Sequence, residues 1–303
     1  MTGTPVELPD HFRVRLNRVW PDIAPAWLDA LPALLDEYAT RWKLTLGPPF
    51  ELSYNYVAPA IRADGSRCVL KAGVPDRERR TEIAALAHYD GNGAIRLREA
   101  DADRGVALLE RAEPGDMLVT LDDDDERTII AADTMRTLFR PPPPGVDFPT
   151  IASWSLIFGR LRARFDGGTG PFPAPLFERA EAIATDAGDG EQVLLHGDLH
   201  HGNILRATRL PWLAIDPKGV AGDPACEAGS LLLNPWTEPL ADIVRLIPRR
   251  LDILAEQLAI DRERLAAWSL HKAVLSACWT VEDGEGPPGG ALAVAEALLP
   301  HAG

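Results

Sequence analysis

Residues 193–205, VLLHGDLHHGNIL, place three histidines, an aspartate and an asparagine between two short apolar runs. Three histidines beside a carboxylate suggest a zinc site. The order of the polar residues suggests phosphoryl transfer instead, because Asn203 follows Asp198 after four intervening residues and Asp216 ends the later apolar run PWLAI. A polar loop that serves only the fold is a third possibility. The sequence on either side decides among the three.

Each residue type in this order has a chemical reason to be there. Eukaryotic-type kinases use His-x-Asp-x-x-x-x-Asn, followed by a metal-binding aspartate on the next strand. Asp198 can orient an attacking hydroxyl and accept its proton. Asn203 offers a neutral oxygen ligand for Mg²⁺ and Asp216 an anionic one, and Mg²⁺ prefers such hard oxygens. The ordered set favours a phosphoryl-transfer site.

LLHGDLHHGNIL (194–205) and AIDPKGVAGDPACEAGSLL (214–232) resemble the aminoglycoside phosphotransferase family. The similarity is greatest to its streptomycin 6-phosphotransferase and hydroxyurea phosphotransferase branch. RWKLTLGPPF, VLKAGVP and SACWTVEDGEG agree with the same branch, so that the resemblance extends over residues 40–285. It implies an α+β, two-lobed protein-kinase-like fold. The strand-rich nucleotide-binding lobe, which includes an N-terminal helix, would be 1–112, and the larger, mainly helical catalytic lobe 113–303.

The resemblance also implies roles for individual residues. Lys71 would contact the α- and β-phosphates of ATP and pair with Glu82. Asp198 would be the catalytic aspartate, with Asn203 and Asp216 as ligands of Mg²⁺. Taken alone, the lysine after a strand and the glutamate on a helix would both be ordinary surface charges, so their order relative to the downstream motif carries the assignment.

Further nucleotide contacts are implied at the hinge and at the phosphate hairpin. The backbone of Glu110 and Ala112, in LLERA, would meet adenine. The hairpin FELSYNYVAPA, residues 50–60, has no glycine where protein kinases have a glycine-rich loop. Ser53 and Asn55 are the candidates for phosphate contacts there. The missing glycines are the one feature that favours a nucleotide-binding pseudokinase.

The acceptor is expected to be a hydroxyl of a cationic, streptomycin-like aminocyclitol. Its guanidinium groups would pair with carboxylates and stack on an aromatic ring. The candidates are Asp223, Glu227, Glu282, Asp283 and Trp279. Alternatively, Asp223 caps a turn and Glu282 and Asp283 form a solvated helix end. Hydroxyurea or another small molecule is the alternative acceptor.

The histidines have two interpretations. In the kinase interpretation His196 orients the catalytic loop, while His200 and His201 shape it. In the metallohydrolase interpretation His196, Asp198, His200 and Asp216 bind zinc. That second interpretation leaves the lysine, glutamate and asparagine of the kinase pattern unexplained.

Composition narrows the class of protein further. The net charge of −14 disfavours a nucleic-acid partner. Three widely spaced cysteines argue against a disulfide framework and suit a reducing compartment. No apolar stretch approaches the length of a membrane helix, and the N-terminus has no signal-peptide pattern. We therefore expect a cytoplasmic monomer without a membrane partner.

Periodicity and turn residues predict the elements. Asp122–Asp125 precede a helical pattern, where acidic residues favour the positive helix end over a metal cluster. The predicted strands are 51–61, 67–74, 94–101, 105–112 and two within 193–216. The predicted helices are 25–42, 76–91, one after the acidic run, 153–165, 176–187 and several beyond residue 238.

Overall fold

The structure, a computed structural model, describes residues 8–186, 192–284 and 289–303. Contacts divide the chain into two units. The first takes the chain as far as Gly91 together with Ile95–Arg111, and the second takes Asn92–Ala94 and the chain from Ala112 onward. The short segment Asn92–Ala94 joins the second unit because its Gly93 carbonyl accepts the Ala214 N–H at 2.9 Å.

The first unit is built on a five-stranded antiparallel sheet of order β1-β2-β3-β5-β4. Its strands are β1 (Leu44–Leu46), β2 (Tyr56–Arg62), β3 (Arg67–Ala72), β4 (Leu97–Asp101) and β5 (Val106–Glu110). Its helices are α1 (Asp10–Val19), α2 (Ala24–Arg41) and α3 (Arg77–Tyr89).

One apolar core unites α1, α2 and this sheet. Phe12, Leu31 and Tyr38 from the helices belong to the same buried cluster as Leu70 and Leu108 from the strands. Burying such side chains contributes about 1.5–3 kcal/mol each. Alternate residues of the strands supply the inner face, as the period of two requires.

The second unit carries the motif of residues 193–205 and Asp216 on two small antiparallel sheets. Their strands are β6 (Pro114–Met117), β8 (Ile204–Ala207) and β9 (Trp212–Ala214) in one sheet, and β7 (Val193–Leu195) and β10 (Val220–Gly222) in the other. The motif loop joins β7 to β8, and Asp216 lies in the loop from β9 to β10. The connections from β7 to β8 and from β9 to β10 both cross between the two sheets, and they carry Asp198 and Asp216 respectively.

Helices make up most of the rest of the second unit. They are α4 (Asp124–Leu138), α5 (Ile151–Arg164), α6 (Ala174–Asp186), α7 (Ala228–Leu232), α8 (Leu240–Leu258), α9 (Arg262–Glu282) and α10 (Gly289–Leu298). The long helix α9 packs against α5, α6, α7, α8 and α10. It is the central helix of this unit.

The acidic run before α4 has the helix-start role that the pattern predicts. Asp123 caps the helix by accepting the Glu126 N–H at 3.1 Å. Asp124 pairs with Arg250, whose side chain is completely buried, at 2.6 Å. Asp125 forms a second pair, with Arg249 of the same partner helix. These aspartates therefore join α4 to α8.

The strand predicted over 51–61 begins only at Tyr56. Leu52 has the apolar pattern of a strand residue but packs into the core with α1 and α2, and its carbonyl accepts a hydrogen bond from His11. Short strands β1, β6 and β10 had no predicted counterpart, and residues 193–216 contain three strands where two were predicted. Three or four residues are too few to show a period of two.

All three cysteines are buried and free of disulfides. Within residues 8–186, 192–284 and 289–303, no helix is long and apolar enough to cross a membrane.

Candidate active site

The first group of candidate residues is a buried set of charges in the first unit. Lys71 lies on β3, and its Nζ donates a hydrogen bond of 2.6 Å to Oε1 of Glu82, on α3. Arg79, on the same helix, donates from Nη1 to Oε2 of Glu82 over 2.5 Å. The Lys71 and Glu82 side chains are 3% and 8% exposed. Glu82 therefore contacts two cations. The sequence predicted Lys71 as its partner but not Arg79.

Arg79 is itself held by the backbone around it. Its Nε donates to the Gly105 carbonyl at 3.0 Å, and its Nη2 donates to the Lys71 carbonyl at 3.1 Å. Asp76 caps α3 by accepting the Arg79 N–H at 2.8 Å. The signal available in the sequence is the three-residue spacing from Arg79 to Glu82, which places both on one helix face. Two cations therefore share the Glu82 carboxylate.

The pKa of Glu82 has a direct consequence for stability in acid. Burial alone would raise it, but Arg79 and Lys71 outweigh burial and lower it from 4.5 to about 2. A carboxyl group with a depressed pKa stabilises the fold above its unfolded pKa, and that stabilisation is lost as the pH falls through the folded value. We expect the contribution of Glu82 to be full above pH 4.5 and to disappear by about pH 2.

The test of this expectation is the difference in stability between the wild type and a Glu82 variant at each pH. The free energies of unfolding of the wild type and of Glu82→Gln are compared from pH 6 downward, so that other titrating carboxylates cancel. The gap between the two should narrow below pH 4.5. A gap that stays constant down to pH 2 would show that Glu82 is not held ionised by its partners.

The phosphate-hairpin candidates lie in residues 47–55, between β1 and β2. Ser53 is exposed there and Asn55 is half-buried. A Cβ built on Gly73 would lie 2.0 Å from Oδ1 of Asn55, so the Asn55 side chain lies directly against the backbone after β3. This segment begins with a glycine, Gly47, which lies just before the glycine-free stretch FELSYNYVAPA. Phosphate binding by Ser53 and Asn55 stays a prediction.

The two hinge candidates are close in sequence at the end of β5. Glu110 is the last residue of that strand, and its carboxylate accepts the Arg96 N–H at 2.8 Å. Its own N–H donates to the Arg96 carbonyl at 2.8 Å. Ala112 follows two residues later, just before β6. Adenine binding by the backbone of Glu110 and Ala112 stays a prediction.

In the second unit, His196 links the two loops that carry the motif. Its Nε2 bonds the Ile215 carbonyl at 2.7 Å, and its Nδ1 accepts the Asp198 N–H at 3.2 Å. Nε2 therefore carries the proton. Burial lowers the pKa of His196 to about 4, so the ring is neutral at neutral pH. These contacts support the loop-orienting role predicted for His196.

Asn203 extends the same connection. Its Nδ2 donates to the Asp198 carbonyl at 2.9 Å, and its own carbonyl accepts the Ile215 N–H at 2.9 Å. Asp216 follows with a φ of 59°, a left-handed conformation that residues other than glycine rarely adopt. Strain of this kind is concentrated at functional sites. The Asn203 amide oxygen and the exposed Asp216 carboxylate are the hard donors that fit Mg²⁺.

Glu227 was predicted to bind substrate, but its carboxylate lies against the backbone of the motif loop. Its Oε2 accepts the His196 N–H at 2.6 Å and its Oε1 accepts the Gly197 N–H at 3.0 Å, while the side chain is buried. Burial raises its pKa to about 7, although these N–H donors and Lys272 favour the ionised form. Glu227 thus supports the backbone of the loop that follows β7. The sequence could not reveal this, because the contact joins residues thirty positions apart.

Gly197 occupies a position that no larger residue fits. Its φ is +82°, and a Cβ there would lie 2.8 Å from Cγ1 of Val220 and 3.0 Å from Cη2 of Trp154. A left-handed conformation costs an L-residue about 1–2 kcal/mol, and overpacking costs about 1–3 kcal/mol more. We expect Gly197→Ala to lower the free energy of unfolding by about 2–4 kcal/mol and to reduce turnover.

The matched control is Gly65→Ala. Gly65 has nearly the same φ, +83°, but a Cβ there has no atom within 4 Å. Gly65→Ala should lower the free energy of unfolding only by the cost of the left-handed backbone, about 1–2 kcal/mol. Equal losses for the two variants in urea unfolding would contradict a steric requirement at Gly197.

Asp198 itself is ionised by its surroundings. Burial would raise its pKa, but Lys218 and Lys272 outweigh burial and hold the pKa below its ordinary value. An ionised carboxylate can accept a hydrogen bond from a substrate hydroxyl and orient it. The charge that the proposed chemistry needs is therefore present at neutral pH.

The other two histidines lie in the loop without converging on a common point. Nδ1 of His200 accepts the Gly202 N–H at 3.0 Å. His201 is completely buried, and neither ring nitrogen has a hydrogen-bond partner in the structure as described. Burial, followed by Arg250 and Arg127, lowers the pKa of His201 to about 2. A loop-shaping role for both histidines stays a prediction.

The zinc interpretation is wrong. Both ring nitrogens of His196 are engaged by backbone groups. Across the described parts of the chain, no three or more His, Cys, Asp or Glu residues are grouped so as to hold a metal ion. His196, Asp198, His200 and Asp216 are therefore not a metallohydrolase ligand set.

The remaining acceptor candidates are mostly engaged within the protein. Asp223 caps a turn by accepting the Ala225 N–H at 2.9 Å, and Nε of Arg264 donates to it at 3.0 Å. The turn-capping alternative for Asp223 therefore describes the structure. Glu282 forms a bidentate pair with Arg160 at 2.8 and 3.0 Å.

Asp283 and Trp279 lie at the end of α9. Asp283 is exposed and follows the last residue of the helix. The Trp279 ring packs edge-on against Trp154, with centroids 5.4 Å apart, and Nζ of Lys272 lies 5.0 Å from its centroid. A cation from the protein is thus already at the ring that was predicted to stack on a substrate guanidinium.

Solved structures share this fold. An aminoglycoside phosphotransferase of Streptomyces rimosus matches with a TM-score of 0.55 and 21% identity, covering 82% of this chain and 98% of that one. A choline/ethanolamine kinase family protein of Mesorhizobium loti matches with a TM-score of 0.62 and 14% identity, covering 88% and 95%. The predicted α+β, protein-kinase-like fold is confirmed.

Curated relatives are similar over nearly the whole chain. A streptomycin 6-kinase of Streptomyces glaucescens is 34% identical over an alignment 309 residues long, which covers 99% of each chain. A hydroxyurea phosphotransferase of Kitasatospora aureofaciens is 36% identical over 306 residues, covering 99% of this chain and 88% of that one. Residues 41–284 match the family described as aminoglycoside/hydroxyurea antibiotic resistance kinase. The resemblance carried by the motifs is therefore confirmed, and the chain belongs to this family of kinases.

Proposed function

We propose that the protein transfers the γ-phosphate of ATP to a hydroxyl group of a streptomycin-like aminocyclitol. The observation that carries this proposal is the ionised Asp198, held in a loop that His196, Asn203 and Glu227 tie to the neighbouring strands. Family membership, with streptomycin 6-kinase among the relatives, supports the reaction class. The product would be a phosphorylated, inactivated antibiotic.

In the proposed reaction the acceptor oxygen forms a bond to the γ-phosphorus, and the bond from that phosphorus to the β–γ bridging oxygen breaks. ADP leaves, and the hydroxyl proton passes to the Asp198 carboxylate. Lys71, held by Glu82, would bind the nucleotide phosphates. Asn203 and Asp216 would hold Mg²⁺, which when bound neutralises phosphate charge. Orienting the hydroxyl and accepting its proton contributes about 10²–10⁴-fold to the rate of such reactions.

A specific observation favours a second acceptor, hydroxyurea. Carboxylates predicted to receive guanidinium groups are engaged within the protein: Asp223 with Arg264, Glu227 with the loop backbone, and Glu282 with Arg160. A small neutral acceptor needs none of them. The hydroxyurea phosphotransferase relative is as similar to this chain as the streptomycin kinases are.

One assay distinguishes these possibilities. ADP release from ATP and Mg²⁺ is measured with streptomycin, other aminoglycosides and hydroxyurea, and each product is identified by mass. A gain of one phosphate on streptomycin supports the first proposal, and a gain on hydroxyurea alone supports the second. Nucleotide binding without turnover on any acceptor would contradict both and indicate a pseudokinase.

A further inference from the structure

We propose that Lys272, on the central helix α9, is a positioning residue that fixes the catalytic loop at the peptide next to Asp198. This inference rests on the proposed function, since it assigns a role to Lys272 in that phosphoryl transfer. It adds a residue that lies 74 positions after Asp198 and outside both sequence motifs.

The contact with the loop is direct. Nζ of Lys272 donates to the Gly197 carbonyl at 3.0 Å. The N–H of the same residue is bound from the other side by Glu227 at 3.0 Å. Both peptide groups of Gly197 are therefore fixed, one by an ammonium and one by a carboxylate. The Gly197 carbonyl belongs to the peptide that joins Gly197 to Asp198. A shift of this carbonyl would therefore move Asp198, the proposed base.

Two tryptophans enclose the ammonium group. Its nitrogen lies 4.9 Å from the ring centroid of Trp154 and 5.0 Å from that of Trp279, and Lys272 is 7% exposed. Cation–π contacts favour a desolvated ammonium. The two rings are nearly perpendicular, at 84°, and the ammonium between them also donates to the Gly197 carbonyl.

Backbone geometry brings these parts close together. A Cβ on Gly229, in α7, would lie 2.5 Å from Cβ of Lys272, so only glycine lets α7 approach α9 here. Trp154 also lies against Gly197, since a Cβ there would be 3.0 Å from its ring. Helices α5, α7 and α9 and the motif loop thus meet at Lys272 and the Gly197 peptide. Lysine is rarely buried to this extent unless its ammonium has a partner, and here the Gly197 carbonyl is one.

The charges around Lys272 are consistent with an action on the loop. Burial lowers its pKa, and Asp198 and Glu227 oppose that decrease while Lys218 adds to it. Lys272 is in turn one of the cations that lower the pKa of Asp198. The lysine therefore interacts electrostatically with the base and by hydrogen bond with the peptide before it.

The test replaces the ammonium by a group of similar length. Lys272→Met removes both the charge and the donor, while Lys272→Gln keeps a donor and removes the charge. For Lys272→Met we expect kcat to fall about 10- to 100-fold, because misplacing a catalytic group by about 1 Å has such an effect. The KM for ATP should stay within about twofold. Lys272→Gln should retain more activity. Lys43→Met, which removes an exposed lysine of the first unit, is the control and should have wild-type activity.

Two further measurements separate positioning from mere support of the fold. Hydrogen exchange should rise in peptides that contain residues 194–203 of Lys272→Met, at an unchanged melting temperature. In an Asp198→Ala background, Lys272→Met should cause no further loss of residual phosphoryl transfer, since it acts through Asp198. Where Lys272→Met does not fold, Lys272→Gln is taken through the same measurements.

The inference is overturned if kcat stays within about twofold of wild type, or if the lysine variant lowers residual transfer equally in the Asp198→Ala background. Basal hydrolysis of ATP by water is measured beside acceptor phosphorylation. If neither streptomycin nor hydroxyurea is phosphorylated, the proposed acceptors fail. The effect of Lys272 on basal hydrolysis and on hydrogen exchange still tests this inference separately.

Discussion

Asp198→Ala is expected to lower kcat by about 10²–10⁴-fold while leaving the dissociation constant for ATP nearly unchanged. The reason is that Asp198 carries the only carboxylate that the proposed reaction uses to orient the hydroxyl and accept its proton. Nucleotide phosphates are assigned to Lys71, and Mg²⁺ to Asn203 and Asp216, none of which changes. Steady-state kinetics with the accepted substrate and calorimetric titration of ATP measure the two quantities.

The control for this substitution is Asp103→Ala. Asp103 is 86% exposed in the first unit and pairs with the exposed Arg80 at 3.2 Å, so its loss should leave kcat unchanged. The melting temperature of both variants should be close to that of the wild type. Full activity of Asp198→Ala would refute the assignment of the catalytic residue and with it the proposed mechanism.

Glu82→Gln is expected to lower the free energy of unfolding by about 3–5 kcal/mol, because it removes the buried carboxylate that both Lys71 and Arg79 contact. The same change frees the Lys71 ammonium from its hydrogen bond of 2.6 Å, so ATP should bind at least about tenfold more weakly. Urea unfolding at neutral pH gives the first quantity, and nucleotide titration gives the second.

Glu99→Gln is the matched control, since it breaks a 3.4 Å pair with Arg62 in which the glutamate side chain is 44% exposed. Exposed pairs of this kind contribute about 0–1 kcal/mol. A Glu82→Gln protein as stable as Glu99→Gln would mean that the buried charges are compensated elsewhere. Unchanged ATP affinity would remove Lys71 and Glu82 from the nucleotide site.

The motif residues were predictable because their chemistry depends on order and spacing along a short segment. Asp198 and Asn203 lie five positions apart on one loop, and Asp216 ends the next strand. Arg79 could also have been found, from its spacing to Glu82. Strand β1 is too short to show a period, so the pattern did not reveal it.

The acceptor residues were the least predictable part. Asp223, Glu227 and Glu282 are acidic in sequence, but whether a carboxylate is available depends on what lies opposite it in space. Arg264, the loop backbone and Arg160 occupy those positions. None of these partners is near its carboxylate in the chain.

By itself the sequence determined the fold class and the candidate catalytic set, because a periodic apolar pattern and an ordered motif are local properties of the chain. Only the tertiary structure decided that Glu227 supports the loop, that His196 is a neutral link between the two motif loops, and that Lys272 lies between two tryptophans beside Gly197. These roles arise from burial and from contacts between distant segments. Burial sets the charge state of each group and long-range contact sets its partner, and neither quantity is encoded in the spacing of neighbouring residues.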